Sequence, residues 1–257
     1  MPTNINFNKT LGVTSKGASI ILPSATAFST KSMLFDGTNE YVDLGNPASL
    51  QITGSLTLSV WIKTTSTSGF IIGKEDALPN SSYSLFIGSS MGNNFARFRI
   101  TSGGSYKTID SVGIDPADGQ WHHVLGVNDG SNLLIYIDGV LRNSNFLGGT
   151  IDNSTVNVNI GRRDYPTSEV PFTGNIDEVS IFNSALSFAD VTTIYNGGVP
   201  NDLSSLNPIS WWRMGEEATF SNPGGVGNWT LVDQGSGGNN GTSANMEEAD
   251  VVEDAPV

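Results

Sequence analysis

The chain has no cysteine among its 257 residues, which excludes thiol nucleophiles, disulfide staples and cysteine-bearing zinc sites. Positive charge is also scarce: 12 Lys and Arg stand against 25 Asp and Glu, a formal net charge of −13. Phosphate binding needs a basic patch, so nucleic acid and anionic membranes are poor partners for this surface. No apolar run approaches the roughly 20 residues of a membrane-spanning helix, so membrane insertion is not expected. The opening MPTNINFNKT lacks the basic-then-apolar build of a secretory signal. No serine sits in a Gly-x-Ser-x-Gly elbow, and the histidines are two neighbours, His122 and His123. Adjacent strand residues point to opposite faces, so this pair reads as packed and structural, not as a metal or catalytic pair.

What is present is period-two alternation, the mark of half-buried strands. In SLTLSVWIK, Leu56, Leu58, Val60 and Ile62 share one face, with Thr57, Ser59, Trp61 and Lys63 on the other. Tyr83, Leu85 and Ile87 form a second such row; Ala96, Phe98 and Ile100 oppose Arg97 and Arg99 in a third. Val156, Val158 and Ile160 alternate with asparagines. Asp138-Gly139 predicts a tight hairpin turn inside LLIYIDGVLRN. One helix is expected after Ser187, with Asp190 completing an imperfect capping box and Gly197 as the stop. Phe188, Val191, Ile194 and Tyr195 form its apolar face. The fold class is therefore all-β: two packed antiparallel sheets with one short helix and loop-rich terminal extensions, which the resemblance given below specifies as a jelly-roll sandwich. Residues 1–30 read as an N-terminal arm, 31–200 as the jelly roll, and 201–257 as a strand-and-loop extension packed on the same sandwich.

The series MLFDGTNEYVDLG (33–45), LTLSVWIK (56–63), DGQWHHVLGVND (118–129), LLIYIDGVL (133–141), VNIGRRD (158–164) and FTGNIDEVSIFNSALSFADVTTIYNGG (172–198) resembles laminin-G-like, concanavalin-A-like jelly-roll domains. Such domains bind carbohydrate or protein and often hold a calcium ion at the rim. The C-terminal ISWWRMGEE … LVDQGSGGNNGT resembles a short module accompanying these jelly rolls in structural proteins of tailed phages, marine ones in particular. The resemblance implies a non-enzymatic virion surface protein, a capsid decoration or appendage component assembled in the host cytoplasm. Its partners would be other virion proteins, with homo-oligomerisation expected. The alternative is a carbohydrate-binding lectin or adhesin, calcium-dependent, with cell-surface glycans as partners.

Candidate residues follow from these readings. Jelly-roll glycoside hydrolases carry Glu-x-Asp-x-x-Glu or Glu-x-Asp-x-Glu on one strand. That pattern is absent, and Asp177-Glu178 is expected to straddle a strand, so catalysis is not expected. No cofactor is required; calcium is the one that fits, since hard cations take Asp, Asn and carbonyl oxygens. By resemblance its ligands would be Asp36 and Asp177, with Asp43 behind them; capping of turns is the alternative role for these side chains. Tyr106, Tyr165 and Trp229 stand in loop-like stretches and are the candidates for stacking on a sugar, whereas Trp61, Trp121, Trp211 and Trp212 read as packing residues. Ile20, Ile21, Leu22 and Phe28 are the candidate assembly contacts of the arm.

Overall fold

Leu56, Leu58, Val60 and Ile62 are entirely buried on one face of a strand, as their alternation requires. The computed structural model describes residues 28–165, 168–224 and 227–257. In chain order its strands are Ser32–Asp36 (β1), Tyr41–Asp43 (β2), Leu56–Lys63 (β3), Gly69–Glu75 (β4), Ser81–Ser90 (β5), Asn93–Ser102 (β6) and Ser105–Asp110 (β7). Trp121–Asn128 (β8), Leu133–Ile137 (β9), Val140–Asn145 (β10), Asn159–Ile160 (β11) and Thr173–Phe182 (β12) follow. The helix Phe188–Tyr195 (α1) precedes Ser210–Trp212 (β13), Thr219–Phe220 (β14), Trp229–Leu231 (β15), Gly241–Ala244 (β16) and Val251–Val252 (β17).

These strands form two antiparallel sheets. The first runs β10-β9-β8-β3-β12-β1-β17, with β13 also paired to β12; the second runs β14-β15-β16-β2-β11-β4-β5-β6-β7. The inward rows of both sheets meet in one core that includes Val60, Ile62, Leu85, Phe98, Ile135, Ile176 and Trp212. The arrangement is a jelly-roll sandwich with one short helix. Asp138 and Gly139 both take positive φ, 54° and 71°, and link Ile137 to Val140 as a two-residue turn. Residues 201–257 supply β13 and β17 to the first sheet and β14–β16 to the edge of the second.

A second apolar cluster lies on the outer side of the first sheet, where Leu125, Tyr136, Phe182 and Trp211 meet Val191, Ile194 and Leu203. The helix closes this cluster. Ser187 and Asp190 form a complete capping box, and the helix ends on Asn196 in the left-handed region, one residue before Gly197. Phe188 departs from the expected apolar face: at the first turn it is 64% exposed, while Val191 and Ile194 are buried.

Candidate functional site

Along β12, Ile176 and Val179 both point into the core although they stand three positions apart. Strict alternation forbids this; a β-bulge permits it. The pairing with β3 jumps from Asp177↔Trp61 to Ser180↔Ser59, so Glu178 and Val179 together oppose Val60. Glu178 takes a positive φ of 47°. The bulge sits where the neighbour of β12 changes from β1 to β13. Its consequence corrects the expectation that Asp177 and Glu178 straddle the strand: both carboxylates lie outside the core, with oxygens within 4.8 Å of each other and of Glu216.

This cluster is covered. Asp177 is fully buried and accepts from Ser29 Oγ at 2.7 Å and from the Glu178 N–H at 2.7 Å. Glu178 accepts from the Trp211 indole at 2.6 Å and pairs with Arg213 at 3.2 Å. Glu216 Oε1 accepts from the N–H groups of Thr30 and Lys31, at 2.6 and 2.9 Å, while its Oε2 is buried with no hydrogen-bond partner. Burial raises the pKa of both Asp177 and Glu178; the charge of Glu178 raises Asp177 further, and Arg213 partly offsets the shift at Glu178. Arg213 also pairs with Glu217, at 2.9 Å, so its one guanidinium serves two carboxylates beside a cluster that holds two more, Asp177 and Glu216. The donor set therefore fits a hard cation: three convergent carboxylates, one with an orphaned oxygen, and excess negative charge.

Asp36 and Asp43 do not join it. Asp36 is level with Thr173 on β12, four residues from Asp177 and so about 13 Å along the strand. Its Oδ1 accepts from the Thr38 N–H, at 2.7 Å. Asp43 belongs to the other sheet and accepts from Gly45 N–H and the Asn157 amide. Both act as turn caps in this structure.

The outer face of the second sheet carries a different assembly. Because Tyr83, Leu85, Ile87, Ala96, Phe98 and Ile100 point inward, Ser84, Phe86, Gly88, Phe95, Arg97 and Arg99 are left outward. Register aligns them in rows: Phe70–Phe86–Arg97–Asp110 crosses β4 to β7, and Gly73–Ser84–Arg99–Thr108 lies beside it. Gly88 has no room for a side chain, since a Cβ would lie 2.7 Å from the Phe95 ring. The Arg99 guanidinium is sandwiched between Phe86 and Tyr106, at 4.6 and 4.3 Å from the ring centroids. The buried Glu75 binds Arg99 at 2.8 Å, Arg163 at 3.5 Å and Ser84 Oγ at 2.5 Å. Arg163 lies 5.0 Å from the Tyr165 ring. Arg97 lies over Phe86 and Phe95 and is held by both oxygens of Asp110, at 2.5 and 2.7 Å. Of these side chains, Phe86, Phe95, Arg97, Arg99, Arg163 and Glu75 line an open groove of about 320 Å³, the size of a small-ligand site.

Of the aromatics nominated from sequence, the structure brings Tyr106 and Tyr165 to this network through Arg99, Glu75 and Arg163. Trp229 is not with them: it is 8% exposed, packed against Phe220, and its indole donates to the Glu247 carbonyl at 2.8 Å. Burial removes its ring face from any ligand. Phe28 stacks on Trp211 at 6.0 Å, beneath the Arg213 guanidinium, which also donates to its carbonyl. The ring is therefore committed within this chain and is no free anchor; Ile20, Ile21 and Leu22 lie outside the described residues. The residues missed from sequence are Phe86, Phe95, Arg97, Arg99 and Arg163. The signal was available, since both β6 arginines alternate with core residues and so had to face outward.

The histidines divide as adjacent strand residues do. His123 is fully buried, hydrogen-bonded to Ser59 at 2.8 Å and packed on Trp61 and Tyr195. Burial depresses its pKa to about 4. His122 bridges Asp138 and Asp118 at 2.8 and 3.2 Å, and the bond to Asp138 raises its pKa.

The fold and the two outer faces define a lectin-like jelly-roll module. The family model described as concanavalin A-like lectin/glucanases superfamily (Laminin_G_3) matches residues 36–192, and the chain belongs to that family. Among solved structures, a Bacteroides ovatus protein to which carbohydrate binding has been ascribed superposes with a TM-score of 0.66 at 21% identity, over 89% of this chain and 61% of its own. The CBM40 of a Ruminococcus gnavus IT-sialidase superposes with a TM-score of 0.52 at 18% identity, over 64% of this chain and 96% of its own. A segment of adhesion G-protein coupled receptor V1 from Danio rerio is 26% identical over 183 residues, 65% of this chain but 3% of that receptor.

Proposed function

We propose that this chain is a non-catalytic glycan-binding module whose ligand lies in the groove on β4, β5 and β6. The observation that carries the reading is the groove itself, about 320 Å³, walled by Phe86, Phe95, Arg97, Arg99 and Arg163 and braced from below by buried Glu75. Rigid side chains held by a second layer of bonds are what a specific polar ligand needs. The carbohydrate-binding neighbours of the same fold support the same class of ligand. The one convergent carboxylate cluster among the described residues lies under Ser29, Trp211 and Arg213 instead of in a cleft, which favours binding over hydrolysis. Calcium at Asp177, Glu178 and Glu216 is the accompanying structural element we propose. It would neutralise their charge and tie Ser29–Lys31 to β12.

The test is a glycan array followed by titration calorimetry on the hits, with Ser89→Trp as the blocked form. Ser89 is exposed and lines the groove, so the indole fills it without touching the core. Binding by the native chain and its loss in the variant are expected; a variant that binds as well as the native chain places the ligand elsewhere and overturns the assignment. Display of this module on a virion is the setting we propose from the phage resemblance. Quantitative mass spectrometry of purified particles tests it, and absence of the chain from particles rejects it.

A further inference from the structure

We infer that the groove selects glycans bearing an anionic group, a carboxylate or sulfate, over neutral sugars; this rests on the glycan-binding reading above. The chain as a whole carries −13, yet three of its six arginines, Arg97, Arg99 and Arg163, line this one groove. Glu75 and Asp110 bring two negative charges against three positive ones, which leaves +1 where the rest of the surface is acidic.

The geometry of the guanidiniums sharpens this. The ring faces of Phe86, Phe95 and Tyr106, on which a neutral pyranose would stack, are already covered by Arg97 and Arg99. The groove thus presents cationic edges where bare aromatic faces would otherwise be. Glu75 is 2% exposed and engaged through both oxygens, so it orients the arginines and is not itself a sugar acceptor. Asp110 occupies the Nε and Nη2 edge of Arg97, and Glu75 takes only Nη1 of Arg99. The fork edge of Arg99 has no acceptor among the described residues, and its Nε is a buried donor without a partner. A planar fork of two N–H groups is matched by a carboxylate or a sulfate, and a charge-assisted pair is stronger than the bonds of a neutral hydroxyl.

The experiment is calorimetry with matched probes: 3′-sialyllactose against lactose, and glucuronic-acid-containing against glucose-only oligosaccharides, with a sulfated disaccharide as a third arm. The native chain is expected to bind at least one anionic probe ten-fold or more tighter than its neutral match, with affinity that falls as salt is raised. Arg99→Lys keeps the charge and loses the fork; it should weaken anionic binding several-fold while leaving the melting temperature within a few degrees. Should Arg99→Lys unfold the chain, Arg97→Gln serves instead, read against the same probes. Equal affinity for neutral and anionic partners, abolished by Ser89→Trp, overturns the inference and leaves the glycan-binding reading standing. Anionic binding unchanged in both arginine variants also overturns it. Failure of every array glycan and every probe to bind overturns the glycan-binding reading itself.

Discussion

At the scale of single residues, burial decides which side chains remain available for function. Trp229 stands beside a Gly- and Asn-rich stretch, but its ring belongs to the main core cluster and packs against Phe220. Trp229→Ala should cost about 3–5 kcal/mol of stability, read by denaturant melts, while the folded fraction keeps its glycan affinity. Lys74 shows the reverse case: an ammonium with no exposure, bound to the carbonyls of Ser154 and Val156 and to Asn46 Oδ1 at 2.6–2.7 Å. Burial lowers its pKa to about 8. Lys74→Met would strand three acceptors and should destabilise the chain by about 2–4 kcal/mol. Asp177→Asn tests the cation. Native protein is expected to melt several degrees higher in millimolar calcium than in EDTA, by mass action, and the variant should show no calcium response. A native melting temperature that ignores calcium rejects the site.

At the scale of elements, the strands and helix were legible because their patterns are local. Period-two rows located β3, β5 and β6, Asp138-Gly139 located the β9–β10 turn, and Ser187 with Asp190 located the start of α1. Ser187→Ala should cost about 1 kcal/mol, seen as a small shift in melting temperature. The bulge in β12 was not legible, because alternation over TGNIDEVSIF assumes one partner residue for each strand residue. That assumption fails at the handover from β1 to β13, which depends on residues far away in sequence. Deleting Glu178 would leave Val179 alone opposite Val60 and restore strict pairing with Ile176, Val179 and Ile181 all still inward, but it would remove the carboxylate that holds Trp211 and Arg213. The expected outcome is a chain that still folds, measured by yield and near-ultraviolet circular dichroism, but melts lower because Trp211 and Arg213 lose their buried partner.

At the scale of the whole molecule, titration and connectivity become collective. Burial raises the folded-state values of Glu40 and Glu178 to about 7, and His122 is raised from its ordinary 6.5 by its bond to Asp138; the buried Asp177 is raised as well. Each binds protons more tightly folded than unfolded, so stability falls as pH rises through those values. His123 acts in the opposite sense, but its window lies between about 4 and 6.5. In EDTA the melting temperature should therefore drop between pH 6.5 and 8; a rise over that interval would contradict the assigned environments. Truncation after residue 200 removes the partners of β12, β1 and β2 in both sheets. That form should be insoluble or molten, unlike a jelly roll whose extension is an ornament.

The sequence by itself determined the class of fold, the inward and outward faces of β3, β5 and β6, the helix cap and the acidic charge; the first three follow from residues within one or two turns or pleats of each other. Tertiary structure alone decided which outward residues meet. It gathered Tyr106, Arg99, Glu75, Arg163 and Tyr165 from β4, β6, β7 and a distant loop, and it drew Glu216 onto Asp177 and Glu178 through a bulge. The physical reason is that strand pairing and long-range closure, unlike periodicity, are set by contacts between segments, and a functional face on a sheet exists only once its neighbours are in register.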